Sequence, residues 1–190
     1  MTKTKFSSFA TALMIFALGF LGRISLHDYH NFETIMVSAF LASMLLPSGI
    51  AYFVTISMIV LSDVYLGYFG SSKIILFTYS GFIIISIITS FFKKNIDDGF
   101  NTSTIYKFTA TGILFALIYD TWTNFGVFWL SYNHSIENLI IVYVLGIPFM
   151  IYHILSSIIT FTLLGFPLYF LLSSDTKKKL IFETQSKVKA

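Results

Sequence analysis

The sequence predicts an all-α, polytopic membrane bundle of about six transmembrane helices, and three observations carry that expectation. Hydrophobic residues make up 56% of the 190-residue chain and charged residues only 11%, whereas soluble domains carry about a quarter. The mean hydropathy is +0.81. Apolar runs long enough for a hydrocarbon core of about 30 Å recur along the chain, with basic residues at their ends. The chain has no cysteine, which excludes disulfides, thiolate nucleophiles and Cys-ligated zinc or iron–sulfur sites. The net charge of +3 flanks apolar runs instead of forming a basic face. It therefore points to a lipid bilayer and not to nucleic acid.

Residues 9–26 form the first apolar run, preceded by Lys3 and Lys5. Such an opening also resembles a signal peptide. Gly22-Arg23 at its end and the lack of a small-x-small site favour an uncleaved first span. Residues 33–66 are too long for one helix and break at Pro47-Ser48-Gly49, which reads as a helical hairpin holding spans two and three. Residues 73–92 form span four, followed by the polar loop 93–99. Span five runs from residue 106 into 119–129. The stretch 136–172 exceeds one span and contains Pro148. It is expected to form a short interfacial or re-entrant helix over 136–147 and a sixth span over 149–172, with a seventh span as the alternative. One membrane domain thus covers residues 1–172, and residues 173–190 form a polar tail.

Six spans agree with the excess of basic residues expected in cytoplasmic loops. With both termini cytoplasmic, ten of the twelve basic residues fall inside, and only Arg23 and Lys73 fall outside. The expected location is the plasma membrane.

That topology gathers the polar residues at the outer side: Arg23, His27, Asp28, His30 and Asn31 after span one, Asp63 near the end of span three, Asp120, Trp122 and Asn124 in span five, then His134, Glu137 and His153. A charge in hydrocarbon costs about 2.5–3.5 kcal/mol on insertion scales and persists where a cavity or partner compensates it. An outward-opening polar cavity follows. Arg23, Asn31, Asp63, Asp120, Trp122 and Asn124 are the candidate substrate-binding residues, the charged and amide groups fixing polar atoms and the indole packing on a ring. Arg23 could instead snorkel to headgroups, Asp63 could cap backbone amides beside Gly67, and His153 reads as a hydrogen-bonded core residue. Tyr65, Tyr68, Tyr119, Trp122, Trp129 and Tyr132 suit an interfacial aromatic belt. His27-x-x-His30 with Asp28 offers an alternative, metal-binding reading, since imidazole and carboxylate suit first-row transition metals. Ser8-x-x-x-Ala12 would let a partner helix approach closely. No phosphate-binding loop, dinucleotide fingerprint, His-Glu-x-x-His or Gly-x-Ser-x-Gly is present, so neither a nucleotide site nor the usual hydrolase sites can be argued.

The ordered set Arg23, Asn31-Phe32, Leu61-Ser62-Asp63 with Gly67, Thr123-Asn124-Phe125-Gly126-Val127, Tyr143 and Ile147-Pro148-Phe149 resembles a family of small prokaryotic membrane proteins. That family is itself similar to the substrate-binding S components of energy-coupling factor (ECF) transporters. The resemblance spans residues 19–170. It implies a six-helix protein that binds a vitamin, a vitamin precursor or a metal complex near its outer face. It also implies delivery through a coupling transmembrane subunit and two ATPase subunits. Many S components dock through Ala-x-x-x-Ala in the first helix, so Ser8 and Ala12 are the expected docking residues. The expectation is a binding subunit, not an enzyme, with no cofactor. The alternatives are a membrane metalloprotein and a structural or accessory subunit of a larger membrane complex.

Overall fold

A computed structural model describes residues 2–29, 31–32, 34–70, 72–93 and 101–173, with the side chains of all but 2–7 and 92. The described residues are all-helical. Six helices follow in order: α1 (Thr2–Ser25), α2 (Ile35–Leu45), α3 (Ser48–Leu66), α4 (Ile75–Phe92), α5 (Thr102–Ser131) and α6 (Ile136–Thr160), the last continuing through a π-helical turn at Phe161–Gly165. Four helical stretches are long and apolar enough to cross a membrane: Ser8–Ser25, Ser48–Leu66, Thr102–Ser131 and Ile136–Ser173. Their outward faces carry large apolar side chains such as Phe9, Phe53, Leu114 and Leu145. Apolar faces this extensive suit lipid. The expected loop over 94–99 and the tail beyond residue 173 lie outside the described residues.

The expected second span is a different object. At 11 residues, α2 rises about 16 Å and does not by itself cross a core of about 30 Å. It is instead the axis of the bundle, touching every other helix. Ten successive residues, Ile35 to Met44, are buried. The sequence Ile-Met-Val-Ser-Ala-Phe-Leu-Ala-Ser-Met-Leu is apolar all round, the pattern of a helix buried on every side. Phe40 sits at its centre, its ring 5.2 Å from those of both Phe108 and Phe161. α4 is likewise apolar, its stretch Ile75–Phe91 falling one residue short of the shortest of the four.

The hairpin break falls where the sequence placed it. Leu46 is extended at φ −109° and ψ 160°, and Pro47 opens α3. A residue before proline is driven out of the helical region, and proline needs no amide donor at a helix start. Lys93 closes the same end of the bundle, its ammonium donating to the Leu46 carbonyl at 3.3 Å. A cation suits the C-terminal end of α2, and partial burial pushes that lysine below its ordinary pKa.

Pro148 does not end a helix, which corrects the expected short interfacial segment. Ile136–Thr160 is one helix with the proline inside. A proline costs the hydrogen bond to the carbonyl four residues back, but neighbouring helices can offset that in a membrane bundle. Here the same stretch is tied sideways: the Tyr143 hydroxyl donates to the Thr121 carbonyl at 2.9 Å, and Asn31 Nδ2 donates to the Phe149 carbonyl at 3.0 Å. Arg23 near the end of α1, Asp63 near the end of α3 and Tyr79 near the start of α4 meet, beside Tyr119 and His153 in the interior of α5 and α6.

Candidate functional site: a polar cavity at one end of the bundle

Two local devices build this end. The first is the close seating of α1 on the start of α2. Gly22 leaves room for Thr34, since a Cβ at Gly22 would run into the Thr34 hydroxyl. That hydroxyl donates to the Leu18 carbonyl at 2.8 Å. Arg23 therefore emerges right beside the contact. The second is the end of α3. Gly67 adopts φ 76°, a left-handed conformation that glycine takes without a Cβ penalty. The Tyr68 amide then donates to the Asp63 carbonyl at 2.8 Å and the Gly67 amide to Val64 at 3.3 Å, a Schellman closure. The backbone of Asp63 makes the cap and leaves its carboxylate available.

That carboxylate holds an ion pair. Arg23 Nη2 lies 2.6 Å from Asp63 Oδ1, with side-chain exposures of 16% and 3%. The Tyr79 hydroxyl of α4 donates to Asp63 Oδ2 at 2.8 Å. Three helices thus converge on one carboxylate. Removing one partner of a buried pair costs more than the pair contributes, so the Arg23–Asp63–Tyr79 group fixes the relative positions of α1, α3 and α4. Arg23 Nη1 is buried without a hydrogen-bond partner among the described residues.

A second polar pair joins α5 and α6. His153 Nδ1 lies 3.0 Å from Asp120 Oδ1, and both residues are buried. The imidazole also meets the Tyr119 ring edge-on, with centroids 5.3 Å apart. Asp120 Oδ2 is buried without a partner among the described residues.

Between the two pairs lies a cavity of about 270 Å³, walled by Arg23, His27, Asn31, Tyr68, Tyr119 and His153, with Leu26, Tyr29, Phe32 and Leu66 completing it. The volume lies just under the range of about 300–1,000 Å³ usual for ligand pockets. Asn31, at φ 59°, uses the left-handed conformation that asparagine tolerates best after glycine. Its bond to Phe149 pins the loop after α1 across α6.

The candidate residues from the sequence divide into three groups. Arg23 and Asn31 line the cavity, as do His27, His153, Tyr68 and Tyr119. Asp63 and Asp120 stand behind the wall, each bonded to a residue that lines it. Trp122 and Asn124 lie elsewhere. The Trp122 indole donates to Ser80 Oγ at 2.9 Å and packs on Phe77 and Phe125. It lines a separate apolar groove with Ile84, Leu117 and Tyr143. Asn124 packs against Gly146, where α5 and α6 approach closely.

For the metal alternative, the structure gives an exposed pair, His27 Nε2 at 3.1 Å from Asp28 Oδ1, while His30 lies outside the described residues. Among the described residues, no group of three or more His, Cys, Asp or Glu is placed to hold a metal ion. Ser8 and Ala12 are half-buried, and Ala12 packs on the molecule's own core. Tyr79 is the residue that sequence reasoning missed: a tyrosine inside an apolar span carries no charge to mark it.

The family model that matches this chain covers residues 2–180 and is described as a family of unknown function, DUF6580; the chain belongs to that family. No curated protein and no solved structure matches it.

Proposed function

We propose that this DUF6580 member is the substrate-capture subunit of a membrane uptake system, similar to the S components of ECF transporters, taking up a small, scarce solute. One observation carries the reading: a small polar cavity opens at one end of an otherwise apolar bundle, flanked by two buried polar pairs, Arg23–Asp63 and Asp120–His153. Buried ionisable groups in an apolar bundle are costly and mark functional sites by default. With the cavity end outward, ten of the twelve basic residues lie inward, as cytoplasmic loops favour. The chain is then a plasma-membrane protein with both termini cytoplasmic.

The mechanism in this reading is capture followed by delivery. Ligand enters from outside, displaces water and bonds to Arg23 and Asn31, while Tyr68 and Tyr119 pack against its body. Asp63 and Tyr79 hold Arg23 in place from behind. The sequence has no phosphate-binding loop, so energy comes from a separate coupling subunit with paired ATPases. The half-buried face of α1 at Ser8 and Ala12 supplies the docking surface.

The test has two stages. Small molecules retained by the purified chain are identified by mass spectrometry. The chain is then reconstituted in vesicles with that solute, with and without a co-encoded ATPase complex. Accumulation that requires both ATP and the complex is expected. Accumulation by the isolated chain under an ion gradient overturns the proposal. Collapse of the purified chain without one fixed protein partner favours the structural-subunit alternative.

A further inference from the structure

The capture reading leaves the chemical class of the ligand open, and an inference that rests on it can be drawn from the cavity wall. The geometry points to a monoanionic solute, a small molecule bearing one oxyanion such as a carboxylate, seated with that group on Arg23.

The ionisable groups among the described lining residues are Arg23, His27 and His153, with the phenols of Tyr29, Tyr68 and Tyr119. None of these is a carboxylate. Asp63 and Asp120 are each engaged by a residue of the wall, Arg23 and His153, at 2.6 and 3.0 Å. Asp28 beside His27 is 81% exposed in its side chain, where water and salt screen it. The wall is therefore rich in donors: a guanidinium, an amide, phenols and imidazoles.

Arg23 supplies the selective element. Its Nη2 is spent on Asp63, and its Nη1 is buried with no acceptor among the described residues. The part-exposed guanidinium lines the cavity, and an oxyanion seated there forms a charge-assisted hydrogen bond with it. A cation would place like charge beside the guanidinium, whose one carboxylate partner stands behind it, with no carboxylate among the described lining residues. A volume of about 270 Å³ limits the solute to a small molecule.

The native chain has no cysteine, so single introduced thiols can read the sign of the local potential without any ligand. Leu26→Cys and Leu66→Cys place a thiol in the wall, and Asn133→Cys in the α5–α6 loop is the reference. Each is reacted with the anionic sulfonatoethyl and the cationic trimethylammonioethyl methanethiosulfonate. The anionic-to-cationic rate ratio is expected to be about tenfold higher in the cavity than at the reference, the lower bound of electrostatic focusing in clefts. It should return to the reference value when Arg23→Gln and Asp63→Asn are added together. The ratio in the otherwise native chain decides on its own: equal to or below the reference, it overturns the anion assignment and leaves capture standing. If neither reagent reaches either wall position, the capture reading fails as well.

A second arm identifies the source of the anion in nanodiscs of phosphatidylcholine. Slower labelling with benzoate supports the assignment and points to a free solute. Slower labelling only when phosphatidylglycerol is included supports it and points to a lipid headgroup. Protection by benzylammonium but not by benzoate overturns it.

Discussion

Asp63 and Asp120 are both buried carboxylates, 2% and 8% exposed, on long apolar helices near the same cavity. Their surroundings differ in kind. Asp63 faces a permanent cation, has both oxygens engaged by Arg23 and Tyr79, and closes α3 with its own carbonyl. Asp120 faces an imidazole, which can be neutral or charged, and keeps one oxygen without a partner among the described residues. Asp63 is thus held from two helices besides its own, α1 and α4, while Asp120 is held from one, α6. Burial alone would have ranked them together; the partners separate them.

The largest expected effect comes from making the same substitution at both. Asp63→Asn strands a mostly buried guanidinium and should cost about 3 kcal/mol, the lower end of the range for breaking a buried pair because Arg23 retains some exposure. Adding Arg23→Gln should recover part of that loss, since two neutral amides can bond to each other. Thermal unfolding of the purified chain in detergent measures both. A double variant as unstable as the sum of its single variants would show that the pair has no mutual coupling. Asp120→Asn should cost only about 1 kcal/mol, because its amide oxygen still accepts from His153 and no permanent cation is left behind.

Gly22→Ala sharpens the contrast from the backbone side. The added methyl meets Thr34, whose hydroxyl is already committed to Leu18, so α1 must shift off α2. Overpacking of this kind costs about 1–3 kcal/mol. The shift moves Arg23 relative to Asp63 but leaves α5 and α6 in place. Labelling at Leu26→Cys should therefore change, while a thiol near Asp120 should react as before. Equal changes at both would mean that the two sites share one rigid wall.

How much of this was legible in the sequence follows from what each residue must balance locally. The Pro47 break was legible because the geometry of a residue before proline is local. The shortness of α2 was not, since an all-round apolar segment reads alike whether protein or lipid surrounds it. Pro148 misled because the bonds that hold the helix on either side of it reach to Asn31 and Thr121, far away in sequence. Charge in hydrocarbon singled out Arg23, Asp63 and Asp120. Their pairing did not show, because the partners are 40 and 33 residues apart. One signal was overlooked: residues two apart on a helix do not face the same way, so Asp120 and Trp122 could not serve one cavity.

Trp122 provides the smallest effect and the cleanest boundary for the site. Its indole bonds to Ser80 across α4 and α5 and stacks within the row Phe77, Trp122, Phe125. Trp122→Phe keeps most of that ring packing and deletes one donor, leaving the Ser80 hydroxyl with its bond to the Leu76 carbonyl at 2.7 Å. The expected loss of stability is about 1 kcal/mol, the usual net value of one hydrogen bond. Solute retention by the purified chain should be unchanged, because the indole lines the lateral groove and not the polar cavity. Tyr119→Leu, three residues away on the same helix, should instead weaken retention, since Tyr119 forms part of the wall and packs on His153. Loss of retention in Trp122→Phe with unchanged unfolding would move the binding site to the α4–α5 face and sever it from both carboxylates.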